Sequence, residues 1–323
     1  MGSTSIVLWI VFAVVITGLL FLDLGVFSKK LAPSSPRVAM GWTLAWVTAA
    51  LVFNAGVWWN LGPQKGLEFL TGYLVEEALS VDNLFVFLLV FAYFRVPREH
   101  QHRLLYWGVL GAFVLRGIFI FVGTALIARF HWILYLFGAF LVYTGIKLVV
   151  TDEDDTVDPG HSPVVRLVRR LVPVTADYSG QSFVVREGGR LMATPLLVVL
   201  AVVETTDVMF AVDSIPAIFG VTIDPFIVYT SNVFAILGLR SLYFVLADFM
   251  DRFEYLKHGL GLVLAFVGAK MLLARFYEVP IGISLAVIAA TLVASVVFSL
   301  SKTRRARRAA HAGRGSDRPG PEA

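Results

Sequence analysis

Long apolar stretches recur along the chain, separated by short polar breaks. A helix needs about 20 mainly apolar residues to cross a bilayer core. Nine stretches meet that requirement: Ser5–Phe27, Val38–Asn60, Gly66–Phe94, Leu104–Ala128, His131–Val150, Leu191–Phe219, Asp224–Ala247, Leu256–Phe276 and Pro280–Leu300. The pattern predicts an all-α polytopic membrane protein of about nine transmembrane helices. The first stretch lacks a basic leading segment and a small-x-small cleavage site, so it reads as a retained helix rather than a signal peptide. One long polar segment, Thr151–Arg190, divides the fifth span from the sixth. It opens with the acidic run Asp152-Glu153-Asp154-Asp155, passes through the basic stretch Val164–Leu171, and ends in Phe183–Arg190, which has the form of a short hairpin. It reads as a solvated loop, with the acidic run as a lesser candidate for a regulatory metal or partner. The Arg-, Gly- and Pro-rich tail after Ser301 is predicted to be disordered.

Composition agrees with this division. The chain has 323 residues, 58% hydrophobic and 15% charged, and its mean hydropathy is +0.78. Soluble domains are about 45–50% apolar and about 25% charged, so this chain has too little polar surface for a water-facing globule. There is no cysteine, which excludes disulfides, thiolate metal sites and Cys nucleophiles. The net charge of +4 does not call for nucleic acid, because basic membrane loops produce the same bias. If the N-terminus lies outside, the outer loops hold only Lys65, Arg129 and Arg275, and most other Lys and Arg residues fall inside. The predicted orientation is therefore N-terminus out and C-terminus cytoplasmic. Trp58, Trp59, Trp107 and Trp132 read as interface anchors.

The third and sixth spans share a pattern. Val81-Asp82-Asn83 aligns with Val212-Asp213-Ser214, which places Glu76 on Asp207. Downstream, Leu115-Arg116-Gly117 resembles Leu239-Arg240-Ser241, and Gly145-Ile146-Lys147 resembles Gly268-Ala269-Lys270. Spans three to five thus recur as spans six to eight. An odd number of crossings gives the second unit the opposite orientation, an inverted repeat of two three-helix units, as in secondary transporters with midplane sites. The expected organisation is two leading helices over residues 1–65, a first repeat over 66–150, a cytoplasmic loop over 151–190, a second repeat over 191–278, a ninth helix over 279–301 and a basic tail over 302–323.

The acids inside these spans are the candidate chemistry. Each costs about 2.5–3.5 kcal/mol at a span centre on insertion scales, and Glu76, Glu77, Asp82, Glu204, Asp207 and Asp213 lie in two helices. Buried carboxylates persist when protonated, paired with a cation or bound to a metal. Asp207 and Asp213, six residues apart, lie about 240° around an ideal helix. Either the helices unwind between them, which Pro195 and Pro216 would favour, or neighbouring helices surround them. Oxygen ligands suit hard divalent ions, and no histidine sits in mid-span. Arg116 and Arg240 are candidate charge-compensating or gating residues. Lys147, near the inner end of its span, reads as snorkelling; Lys270 lies toward the outer side, as an inverted repeat would place it, and a gate ion pair with loop acids is the lesser reading for both. Glu77 is the weakest of the acids, since its repeat counterpart is Val208.

The segments Val75–Phe87 and Val203–Phe219 resemble the TerC family of membrane proteins. The resemblance rests on Glu76-x5-Asp82-Asn83 and on Glu204-Thr205-Thr206-Asp207-x5-Asp213-Ser214-Ile215-Pro216, and extends from about Ser5 to Leu300. It implies a bacterial inner-membrane exporter of a divalent ion, Mn²⁺ first, in the LysE-like superfamily. The metal-site residues it implies are Glu76, Asp82, Asn83, Glu204, Asp207, Asp213 and Ser214. The transported ion and the lipid bilayer are the expected partners, with no prosthetic group, no nucleic acid and no enzymatic activity. The alternative is an accessory factor for metalation of exported proteins or for metal, tellurite or alkaline stress resistance, docking partners of the secretion or stress machinery.

Overall fold

The computed structural model describes residues 6–30, 36–150, 163–178, 180–187, 189–247, 256–277 and 279–315. Its helices are α1 (Ile6–Lys30), α2 (Pro36–Leu61), α3 (Pro63–Tyr93), α4 (Arg98–Arg129), α5 (Ile133–Val150), α6 (Pro163–Leu171), α7 (Pro195–Phe219), α8 (Pro225–Ala247), α9 (Leu256–Leu273) and α10 (Ile281–Gly315). Strands β1 (Val184–Glu187) and β2 (Arg190–Ala193) pair antiparallel, Val184 opposite Ala193. Proline opens α2, α3, α6, α7 and α8. At that first position its missing N–H costs no hydrogen bond, and its fixed φ suits the helix. Gly62, at φ 91°, makes the sharp turn from α2 into α3, a conformation that side chains resist.

Among the described residues, six helices are long and apolar enough to cross a membrane: Arg37–Leu61, Arg98–Arg129, Ile133–Val150, Pro195–Phe219, Pro225–Ala247 and Ile281–Ser299. The apolar stretches Ile6–Phe21 and His258–Leu273 are shorter. Helix α3 runs 31 residues and carries Lys65, Glu68, Glu76, Glu77 and Asp82. The chain is a multi-pass, mostly helical membrane protein.

Helix α8 lies at the centre, buried along nearly its whole length. It is flanked by α2, α3 and α4. Helix α7 packs on α3 and α4, while α10 covers α3 and α9. The pair α5–α9 is the tightest. A Cβ on Gly138 would meet the Gly268 carbonyl at 3.0 Å, and one on Gly268 would meet the Gly138 carbonyl at 2.6 Å. Gly145 and Gly261 stand in the same reciprocal relation. Backbone rests on backbone at both points, the approach that small residues permit between membrane helices.

Three expectations change. Helix α7 is continuous and does not unwind between its acids: Pro195 sits at its first position and Pro216 in its last turn, so neither interrupts the middle. The sixth apolar stretch begins with β2 rather than with helix, because Leu191–Ala193 complete the hairpin. The predicted disordered tail is helical as far as Gly315, as a continuation of α10; its Ala and Arg residues are strong helix formers. The hairpin forms at the expected place but runs on to Ala193, past the expected end at Arg190. The acidic run Asp152–Asp155 lies outside the described residues.

Candidate functional site

The site is built where α3, α4 and α7 meet. Helix α4 buries every fourth residue on one face: Leu104, Gly108, Ala112, Arg116 and Ile120. The small members allow close approach, since a Cβ on Gly108 would meet Val203 of α7 at 3.0 Å. That approach carries Arg116 between two acids from different helices. Its Nη1 pairs with Glu76 Oε1 of α3. Its Nε and Nη2 donate to Asp207 Oδ2 and Oδ1 of α7 at 3.3 and 3.0 Å, the two-pronged geometry a guanidinium favours. All three side chains are at most 2% exposed.

Asn83 completes this group. With its amide oriented to satisfy both ends, its oxygen accepts from Arg116 Nη2 at 3.3 Å and its nitrogen donates to the Leu79 carbonyl at 3.0 Å. Asn83 lies seven residues after Glu76, two turns along the same face. Ser214 stands in the same relation to Asp207, and its buried hydroxyl has no hydrogen-bond partner among the described residues. Glu204, one turn before Asp207, is half-buried and lies against Gly111 of α4. A Cβ there would overlap its carboxylate.

The remaining candidates are less concentrated. Asp82 lies in α3, and its side chain is outside the described residues. Asp213 lies in α7 and is half-buried, on a different face from Asp207. Arg240 of α8 is 7% exposed and acts electrostatically on His102 of α4. Glu77 lies beside the Tyr73 phenol, one turn earlier. No group of three or more His, Asp or Glu among the described residues is placed to hold a metal ion. Among the described residues, the expected acids are thus not gathered into a metal cage. Arg116 occupies the position between Glu76 and Asp207.

A second polar group, unforeseen in the sequence, ties α3 to the α7–α8 turn. Glu68 accepts from Lys65 Nζ at 2.9 Å, Gln64 Nε2 at 3.1 Å and Thr222 Oγ1 at 2.6 Å. Lys65 also meets Asp224 Oδ2 at 3.0 Å. Asp224 in turn caps α8, accepting from the Phe226 N–H at 3.1 Å. Lys65 and Glu68, three residues apart, and the Asp224-Pro225 helix start were the available signals.

Comparison with known proteins adds the lineage. Residues 61–307 match the model of the integral membrane protein TerC family. The chain belongs to the TerC family. It is 52% identical over 299 residues to an uncharacterized membrane protein of Myxococcus xanthus, covering 93% of each chain. It is 50% identical over 301 residues to a protein of Escherichia coli K12 named "Putative membrane-bound redox modulator Alx", covering 90% of this chain and 94% of that one. A Rickettsia felis membrane protein is 39% identical over 292 residues. No solved structure matches the chain.

Proposed function

We propose that the chain is an inner-membrane transporter that exports a divalent cation, with Mn²⁺ as preferred cargo, and that its C-terminus is cytoplasmic. The observation that carries this reading is the buried Glu76–Arg116–Asp207 group. Two carboxylates from different helices are held inside the protein by one guanidinium. Asn83, Glu204 and Ser214 add oxygen donors on the same two helix faces, the ligand type that hard divalent ions take. In this reading Arg116 neutralises the acids when no ion is bound and withdraws when one arrives.

The packing supports an inverted repeat among the nine spans that this reading assigns. If α3, α4 and α5 are equivalent to α7, α8 and α9, the contact of α3 with α8 answers that of α7 with α4. The glycine contacts give the same relation. The alignment that places Gly145 on Gly268 also places Gly138 on Gly261. The pair Gly138–Gly268 is then exchanged with the pair Gly261–Gly145. By the repeat alignment Arg240 is the counterpart of Arg116, and alternating access would exchange the protein between two states. In the other state Arg240 takes over the acids from Arg116, and access changes sides.

The name of the Escherichia coli relative favours a second reading, a redox-modulating or stress role. This chain has no thiol, so such a role would act through what the protein carries or docks. Flux measurements in proteoliposomes with Mn²⁺, Ca²⁺ and Mg²⁺ test the proposal. Transport of at least one ion is expected, with loss in Glu76→Gln and Asp207→Asn. Undiminished flux in both variants overturns the site, and no flux of any ion transfers the case to the second reading.

A further inference from the structure

Helix α6 plays no part in the transport reading, yet its sequence Pro-Val-Val-Arg-Leu-Val-Arg-Arg-Leu divides sharply by face. Val165 is 2% exposed and, with Val168 against it, belongs to a buried cluster that includes Leu196, Val198 and Val199 of α7, the helix on which α6 packs. These α7 residues belong to its first two turns. Helix α6 therefore lies at the height of the span's end, neither within the bilayer core nor out in solvent. The following chain holds it there. The Thr175 N–H donates to the Ala193 carbonyl at 2.9 Å, and the Tyr178 hydroxyl donates to the Phe94 carbonyl at 2.7 Å.

Four other residues of the helix face away from the protein. Leu167 is 56% and Leu171 71% exposed, and their four-residue spacing puts them on one side. Arg166 and Arg170, with the same spacing, are exposed on the adjoining side. Two leucines and two arginines on neighbouring sides, at the level of a span end, match the division between acyl chains and headgroups. The positive charge selects the headgroup, because anionic lipids attract juxtamembrane arginines.

We propose that α6 is a docking site for anionic phospholipid, with Leu167 and Leu171 among the upper acyl carbons and Arg166 and Arg170 on the headgroup phosphates. The leaflet is the cytoplasmic one if the orientation given under Proposed function holds; the site itself does not depend on metal transport. Because α6 leads through the hairpin directly into α7, bound lipid fixes the end of the helix that carries Glu204, Asp207 and Asp213.

The test is a titration of the full-length protein in detergent with phosphatidylglycerol and, separately, phosphatidylcholine, with bound lipid counted by native mass spectrometry. Each arginine near an anionic surface is worth about fivefold in affinity. Arg166→Gln with Arg170→Gln is expected to weaken phosphatidylglycerol binding by about 30-fold and leave phosphatidylcholine unchanged. Leu167→Ser with Leu171→Ser is expected to weaken both. Arg307→Gln with Arg308→Gln removes equal charge elsewhere and is expected to change little. Unaltered phosphatidylglycerol binding in the Arg166/Arg170 variant overturns the proposal and leaves α6 to an acidic protein partner. An equal loss in the Arg307/Arg308 variant also overturns it, since general charge would then suffice. No metal enters this assay, so its outcome is separate from that of the flux measurement.

Discussion

Replacing Arg116 with Met keeps most of the side-chain volume and removes the charge. Glu76 and Asp207, 0% and 2% exposed, would then face each other without a cation. Breaking a buried pair by deleting one partner costs about 3–5 kcal/mol, and here two carboxylates lose the same partner. The expected result is a strong loss of stability, read as a lower thermal midpoint of the purified protein in detergent. A divalent ion should now fill the role of the guanidinium. An ion present at 100 times its dissociation constant contributes about 2.7 kcal/mol, so saturating Mn²⁺ should recover about half of the loss or more. The unaltered protein should gain less, because there the ion has to displace Arg116. Adding Glu76→Gln and Asp207→Asn to Arg116→Met removes the unpaired charges. This triple variant should regain most of the stability and lose the response to Mn²⁺. The reasoning is refuted if Arg116→Met is as stable as the parent, or if the triple variant is no more stable than Arg116→Met alone.

Gly111→Ala places a methyl group on the Glu204 carboxylate; Mn²⁺ flux in proteoliposomes should fall while the thermal midpoint stays near the parent value, since Ala favours the helix by about 0.5–1 kcal/mol. Gly145→Val drives a side chain into the Gly261 carbonyl and the Ala265 backbone. It should cost at least the about 1–3 kcal/mol of an overpacked core, measured as lost monodisperse protein after extraction, whereas Gly18→Val, with open space around it, should not. Arg240→Met should slow Mn²⁺ flux without changing equilibrium Mn²⁺ binding in detergent, whereas Arg116→Met should change both; equal binding and flux in Arg240→Met and parent would remove Arg240 from the cycle.

The helices were legible because bilayer thickness imposes a length and proline marks where five of them begin. Both acids of the central group could be read from the sequence, since charge inside an apolar span needs a reason. Their pairing could not. Arg116 lies 91 residues from Asp207, and only the small residues of α4 decide that its side chain reaches α7. The two prolines of α7 were misleading, because a proline at a helix start or in its last turn needs no break in the middle. Helix α6 was visible as a basic stretch, but its depth depends on its packing against α7, with Val165 in the shared buried cluster, which no local pattern reveals. Asp224 and Glu68 come together only once α3 and the α7–α8 turn share an end of the bundle.

The reciprocal glycine contacts of α5 and α9 also constrain how the protein is made. Gly138 and Gly145 find their partners on a helix that leaves the ribosome about 120 residues later, which at synthesis rates of about 5–20 residues per second is a delay of about 6–24 s. Through that interval α5 sits in the membrane with its glycine face turned to lipid or to a holding factor. A helix pair that closes late is thus the one with the least tolerance for a wrong neighbour, and biogenesis, rather than the finished fold, is where a bulky residue at these positions would first be felt.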